Sequence, residues 1–332
     1  MLKKYKYQII GSSIVLLVLS LINMHIKVGV VGNKQSMILA ERFFKGGSWV
    51  EITIVVVYTF YIIGKMITAN NTAKWRKITW TVFSVVFFSQ LILGLFGFEK
   101  FLMTGMLHLP IPALIIGGAV YKLKFGFMPI LFLSTVILSG PAWCSQLCYF
   151  GAVDFQASSS KKGFAKKIKN KTALKHTFLA IVVVGAIVLR FLNLSYLMTG
   201  IIAGSFGIIG VLIIIFISHK KKMMYHCSVY CPVGTILQYV KYINPFRMYI
   251  EESSCTNCML CTPTCKYDAL NTIDIKNKKP GLSCTYCGDC ISSCHSSSIK
   301  YKVFNIKGDK ARFIWITLTI SLHAIFLVLA RI

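Results

Sequence analysis

Cys255-Thr-Asn-Cys258-Met-Leu-Cys261-Thr-Pro-Thr-Cys265 and Cys284-Thr-Tyr-Cys287-Gly-Asp-Cys290-Ile-Ser-Ser-Cys294 are two copies of one C-x2-C-x2-C-x3-C run. Thiolates are soft ligands, and this is the spacing of cysteines that hold cubane iron–sulfur clusters. Where two such runs occur together, the fourth cysteine of each ligates the cluster of the other. Cluster one is therefore expected on Cys255, Cys258, Cys261 and Cys294. Cluster two is expected on Cys284, Cys287, Cys290 and Cys265. Zinc ribbons instead use two C-x2-C pairs at longer separation, without the x2-x2-x3 run. The expected cofactors are two [4Fe–4S] clusters.

The chain has 12 cysteines, and the other four form two C-x3-C pairs, Cys144/Cys148 and Cys227/Cys231. None is left over as a nucleophile, and no catalytic residue is assigned. The pairs lie in an internal repeat: Trp143-Cys-Ser-Gln-Leu-Cys-Tyr-Phe-Gly151 aligns with His226-Cys-Ser-Val-Tyr-Cys-Pro-Val-Gly234. On a helix, residues i and i+4 share a face, so each pair can grip one centre. A third metal site on Cys144, Cys148, Cys227 and Cys231 is expected, with iron–sulfur, copper and zinc all compatible with its ligands.

Outside the cysteine runs the chain is apolar. Its 332 residues are 55% hydrophobic and 14% charged, with a mean hydropathy of +0.67. Runs at 8–23, 49–68, 78–98, 127–142, 173–193, 197–218 and 313–330 approach the ~20 residues of a membrane helix. An eighth run, 104–120, is interrupted by Pro110 and Pro112 and reads as re-entrant or interfacial. The expected fold is mainly α: a polytopic membrane protein of seven to eight helical spans carrying a small α+β two-cluster domain. The division is 1–140, transmembrane helices; 141–240, a duplicated helix and C-x3-C membrane unit; 245–311, the two-cluster domain; and 312–332, a last transmembrane helix. Strand-like pieces at 247–250 and 300–303 flank the cysteine runs. The first run lacks a small-residue cleavage site and reads as a retained helix.

Net charge is +27. The lysines lie between apolar runs, at Lys161, Lys162, Lys166, Lys167, Lys169, Lys171 and Lys175, then at Lys220, Lys221 and Lys222. Such clusters fit the positive-inside rule and attraction to anionic lipid, and no nucleic-acid module accompanies them. Labile clusters also favour a reducing compartment. The cysteine runs are therefore expected on the cytoplasmic side of a bacterial inner membrane. His108, His176 and His323 lie in or near apolar runs without a facing pair for a b-type haem, and His108 is a candidate wall of a quinone pocket. Glu51 and Arg190 read as snorkelling charges. Gly200, Gly204, Gly207 and Gly210 read as a close-packing stripe.

In combination, the spans, C-x3-C, helix pair, C-x3-C-P (Cys231-Pro232) and two cysteine runs resemble the NapH/NosR-type membrane-bound ferredoxins over about residues 125 to 305. Tyr149, Lys266 and His295 stand where that pattern carries proline. The resemblance implies an electron-transfer protein that takes electrons from menaquinol, ubiquinol or a redox partner subunit and passes them through its clusters. It extends to quinol dehydrogenase components. The FixG/CcoG-type assembly proteins are also similar and imply an alternative, a copper or other metal-ion reductase or assembly factor. A redox-sensing or structural subunit is a third reading.

Overall fold

The computed structural model describes residues 5–25, 27–30, 33–38, 47–68, 72–98, 111–123, 127–160 and 168–329. Pro110, His108 and the lysines at 161, 162, 166 and 167 lie outside these. The chain divides into two compact units, Met1–Pro110 with Phe313–Ile332, and Ile111–Arg312.

The first unit contains α1 (Lys6–His25), a hairpin of β1 (Lys27–Val30) and β2 (Asn33–Ile38), α2 (Ser48–Thr68), α3 (Thr72–Leu95) and most of α12 (Asp309–Leu329). Helix α2 is rich in β-branched residues that would favour a strand in water. In lipid every backbone group must bond within its own segment, so the run is helical. Val15 and Leu19 of α1, Ile52 and Val55 of α2, and Ala324, Ile325, Val328 and Leu329 of α12 form one core. Ile62, Ile63 and Met66 pack against Ile316 and Ile320 in a second. Inside this apolar bundle the Tyr58 hydroxyl and His323 Nε2 lie 3.0 Å apart, which gives the intramembrane histidine a polar partner.

The second unit runs α4 (Ala113–Lys122), α5 (Phe127–Ser139), α6 (Tyr149–Ser159), α7 (Lys171–Phe191), α8 (Tyr196–Leu212), α9 (His219–Lys221) and α10 (Pro232–Val240). Then come β3 (Phe246–Ile250), α11 (Thr272–Lys276), β4 (Ile299–Val303) and β5 (Ile306–Lys307). The three strands form an antiparallel sheet in the order β3-β4-β5, with Phe246 opposite Val303 and Ile250 opposite Ile299. Both long strands alternate buried and half-buried residues, the pattern of a sheet with one face on a core. The cysteine runs occupy the long connection between β3 and β4. Of the glycine stripe, Gly207 lies against Ile111 and Gly210 against His226 and Tyr230, whereas a side chain at Gly200 or Gly204 would meet nothing.

Among the described residues five helices are long and apolar enough to cross a membrane, and a bent pair, Phe132–Leu147 with Tyr149–Ser159, raises this to six. That is fewer than the seven or eight expected. The apolar part of α1, Lys6–Ile22, is short. The run at 127–142 does not continue as one helix because Gly140, at φ +53°, and Pro141 break it. The chain is mainly helical, with multiple candidate membrane spans and a small sheet region beside cysteine clusters.

Asn244 joins the two parts of the second unit. Its side-chain amide donates to the carbonyls of Ile137 (3.1 Å) and Leu138 (3.0 Å) at the end of α5. Its oxygen accepts from the Phe246 amide (3.0 Å) at the start of β3. The Asn244→Ala variant strands buried groups at both ends and is expected to lose about 1–3 kcal/mol. A fall in unfolding temperature in detergent, relative to wild type, checks this.

Candidate metal centres

The two C-x3-C repeats fold alike. Trp143–Leu147 and His226–Tyr230 are single π-helical turns. Each is followed by an extended cysteine, Cys148 at φ −89°, ψ 117° and Cys231 at φ −74°, ψ 118°. Each cysteine then begins a helix, α6 or α10. The pairs therefore do not sit one above the other on a continuous helix, as i, i+4 spacing implies. The first cysteine of each lies in a widened turn and the second at a helix N-terminus, where free amides and the helix dipole favour an anionic sulfur. Isolated π-turns are frequent at functional sites. The repeat's glycine has a physical reason: a Cβ at Gly234 would lie 2.5 Å from the Cys227 carbonyl oxygen.

Cys144, Cys148 and Cys231 are buried and Cys227 is half-buried. Burial pushes the Cys227 thiol well up, and charge on Asp154, Cys148, Cys231 and Cys144 pushes it further, which gathers all four sulfurs in one neighbourhood. Cys231 is raised to about 11 by burial, against the amides of Gly234 and Val233, which favour its thiolate. Asp154 was not visible as a functional residue in the spacing of motifs. It lies on α6 of the first repeat, fully buried, and accepts the Cys227 amide of the second at 2.9 Å. A signal existed: Asp154 is the sole acidic residue between Glu99 and Glu251. Beside it, the His226 ring stacks on Phe150 at 5.6 Å, and burial lowers its pKa to about 4, so the imidazole is neutral. Among the described residues, Asp154, His226 and Cys227 form the one set of three ligand atoms all within 4.8 Å of one another.

A small cavity of about 20 Å³ is lined by Cys144, Cys227, Lys175, Ser228, Gln238 and Cys284, among others. It joins the C-x3-C sulfurs to the second cysteine run. Its walls carry buried polar atoms without a hydrogen-bond partner among the described residues: Ser228 Oγ, Gln238 Nε2 and Thr285 Oγ1. Thiols, hydroxyl and amide donors and one ammonium are the donor set that fits an iron–sulfur cluster, whose sulfides accept hydrogen bonds. The Tyr267 hydroxyl donates to the Cys144 carbonyl (3.3 Å), and the Ser145 hydroxyl to that of Thr285 (3.2 Å), across the same seam.

The two ferredoxin-type runs share a backbone signature of left-handed residues. Asn257, Met259 and Asp268 in the first adopt positive φ (55°, 60°, 52°), and Tyr286, Gly288 and Ser297 do so in the second (57°, 80°, 50°). Relative to the cysteines, the three positions coincide. Left-handed residues between right-handed ones turn successive amides toward one point, a nest for anions that recurs at iron–sulfur sites. Five of the six are not glycine, so the strain is borne at matched places. The fourth cysteines match as well: Cys265 Sγ accepts from the Ala269 amide and Cys294 Sγ from that of Ser298, both at 3.3 Å.

Neighbourhoods among these eight sulfurs are crossed. Burial pushes the Cys261 thiol up to about 11, and Cys294, Cys258 and Cys255 add to the rise. Cys284 is raised to about 12, by burial first and then by Cys265 among the sulfurs. Cys290 is raised well above its usual value by burial, then by Cys287, Cys265 and Cys284. Cys290 is buried and Cys258 exposed, and the other six are half-buried. Lys266, in the place of proline, tethers the domain: its ammonium donates to the Lys222 carbonyl (3.1 Å), and its own carbonyl accepts from the Met224 amide (3.1 Å).

Gly234→Ala drives a Cβ into backbone and is expected to cost about 1–3 kcal/mol. Gly204→Ala meets nothing within 4 Å and is expected to be neutral or slightly stabilising. Thermal unfolding of the two variants in detergent, side by side, distinguishes them.

The 4Fe-4S binding domain family model matches residues 125–164 and 203–247. Each matched segment contains one C-x3-C pair, and the eight other cysteines lie beyond both. An uncharacterized protein of Methanocaldococcus jannaschii is 23% identical over 168 residues, covering 50% of this chain and 66% of the relative. No solved structure matches. The chain thus contains a 4Fe-4S binding domain, is a distant homologue of that archaeal protein, and is a membrane-associated 4Fe-4S binding protein.

Proposed function

We propose that this protein is an integral membrane electron carrier with three [4Fe–4S] clusters in series. Cys144, Cys148, Cys227 and Cys231 would hold the first in the membrane unit. Cys284, Cys287, Cys290 and Cys265 would hold the second, and Cys255, Cys258, Cys261 and Cys294 the third, nearest solvent. The observation that carries this reading is the cavity shared by Cys144, Cys227 and Cys284. It brings Cys284 of the ferredoxin-type segment to the same cavity as one cysteine of each C-x3-C pair, the kind of adjacency that electron transfer needs. The crossed neighbourhoods of Cys261 with Cys294 and of Cys284 with Cys265 support the ligand sets. Matched left-handed backbone in the two runs supports one cofactor type in both.

Bound clusters would supply the redox chemistry, and the chain's own residues hold, insulate and tune them. Amides after Cys231, Cys265 and Cys294 favour ligated thiolate over thiol. Electrons would enter from quinol or a membrane partner subunit and leave past exposed Cys258 to a partner in the cytoplasm. In this arrangement α1, at 20 residues and ~30 Å, is a further span. The anionic-lipid face of a bacterial inner membrane accounts for the lysines at the span ends.

A second reading is favoured by the Asp154, His226 and Cys227 set, whose mixed oxygen, nitrogen and sulfur atoms suit a single transition-metal ion. The chain would then reduce or deliver that ion as its substrate. In a tetrahedral thiolate site the sulfurs stand about 3.8 Å apart, from bonds of about 2.3 Å. No three cysteine sulfurs among the described residues lie within 4.8 Å of one another.

EPR of the purified protein in detergent tests both. Cys294→Ser is expected to abolish the signal of the outermost cluster, and Cys265→Ser that of the middle one, each leaving the other signals in place. If Cys265→Ser instead removes the cluster of its own run, the crossing is wrong. Reduction by a menaquinol analogue, without dithionite, is expected if quinol is the direct donor.

A further inference from the structure

Lys171 and Lys175 belong to the lysine-rich segment that reads as membrane-surface charge, yet neither side chain points to a surface. The Lys171 ammonium donates to the carbonyl of Tyr267 (2.5 Å) and the hydroxyl of Ser283 (2.7 Å), and its counter-charge is Asp268 at 3.9 Å. Lys241 donates to the Gly281 carbonyl at 2.9 Å and is faced by the thiol of Cys284 and the carboxylate of Asp274, with Lys279 and Arg247 as further cations. Lys175 differs from both. It is 4% exposed and lines the cavity with Cys144, Cys227 and Cys284. Its ammonium donates to the side-chain oxygen of Gln238, and the charged groups that face it are two more cations, Lys171 and Lys241.

A buried ammonium whose charged neighbours among the described residues are cations is costly unless an anion shares its site. On the three-cluster reading, the cavity wall supplies that anion: four thiolates around a cubane carry net negative charge, and each electron accepted adds to it. We infer that Lys175 is the built-in counter-cation of the centre held by Cys144, Cys148, Cys227 and Cys231, and that it raises that centre's reduction potential above what the same ligands would give alone. The centre held there would be reduced one electron at a time by a quinol, which gives up two electrons in turn and releases its two protons to solvent. Lys175 keeps its proton throughout and exchanges neither proton nor ligand. Its charge stabilises the more negative, reduced state because the surroundings are poorly screened. Lys171 and Lys241, each with a carboxylate nearby, act on the neighbouring Cys265 and Cys284 more weakly. Lys175 is thus a positioning and tuning residue, and the gradient it sets would draw electrons into the membrane-side centre.

The test is an EPR-monitored redox titration of the full chain in detergent, preceded by iron and acid-labile sulfide analysis. Wild type with about twelve irons per chain satisfies the three-cluster reading, whereas about eight defeats it, independently of what Lys175 does. Given twelve, Lys175→Met is expected to move one midpoint downward by about tenfold in equilibrium constant, or about 59 mV for one electron. The two other midpoints stay in place, and Lys175→Arg returns the shifted one toward wild type. Lys169→Met, at an exposed position, is expected to shift none. Should Lys175→Met fail to fold, Lys175→Gln carries the same expectation while keeping a donor for Gln238. An unmoved midpoint in the neutral variant, or an equal shift of all three, overturns the inference.

Discussion

Twelve thiols in a chain with this much buried surface impose one electrostatic condition. A thiolate taken from water without a partner is unstable, and a cluster of them repels itself. Burial raises Cys227, Cys284 and Cys290, and neighbouring sulfurs raise each further. Metal coordination reverses that balance by placing positive charge among the sulfurs. Where metal binds these sulfurs, folding of the second unit and metal loading would be linked equilibria, as in other small metal-held domains. The sheet of β3, β4 and β5 is too small to bury a stable core alone.

Two duplications carry the sites, and both are visible in backbone conformation rather than in side chains alone. In the membrane unit the shared pattern is a π-turn, an extended cysteine and a helix start. In the ferredoxin-type segment it is three left-handed residues at fixed offsets from the cysteines. Each pattern turns amides toward sulfur. Asp154 then makes the membrane duplication asymmetric, since the first repeat supplies a carboxylate to the amide of the second. Tyr267 and Ser145 stitch the two duplicated regions together within one unit.

The lysines divide by environment. Lys169 and Lys220 are exposed, whereas Lys171, Lys175, Lys241 and Lys266 turn inward to backbone carbonyls, hydroxyls and sulfur-lined space. The sequence alone reads Lys171 and Lys175 as membrane-surface charge. The difference matters for function because a charge within a poorly screened cavity changes a redox equilibrium, and one in headgroup water barely does.

Cysteine spacing alone pointed to iron–sulfur chemistry, because few ligand geometries tolerate x2-x2-x3, and apolar run length pointed to the membrane setting, because a bilayer has a fixed thickness. The strands flanking the cysteine runs were legible from short β-rich segments, and the C-x3-C repeat from its register. Only the tertiary structure decided that these pairs straddle a helix break, since i, i+4 spacing is silent on whether the helix continues. It also separated the run at 127–142 from a simple span, through the left-handed Gly140 before Pro141. The roles of Asp154 and Lys175 were hidden for a related reason. Each acts on groups far away in sequence, Cys227 for one and the walls formed by Cys144, Cys227 and Cys284 for the other. Local pattern records which way a residue faces along its own element, and only packing decides what it then meets.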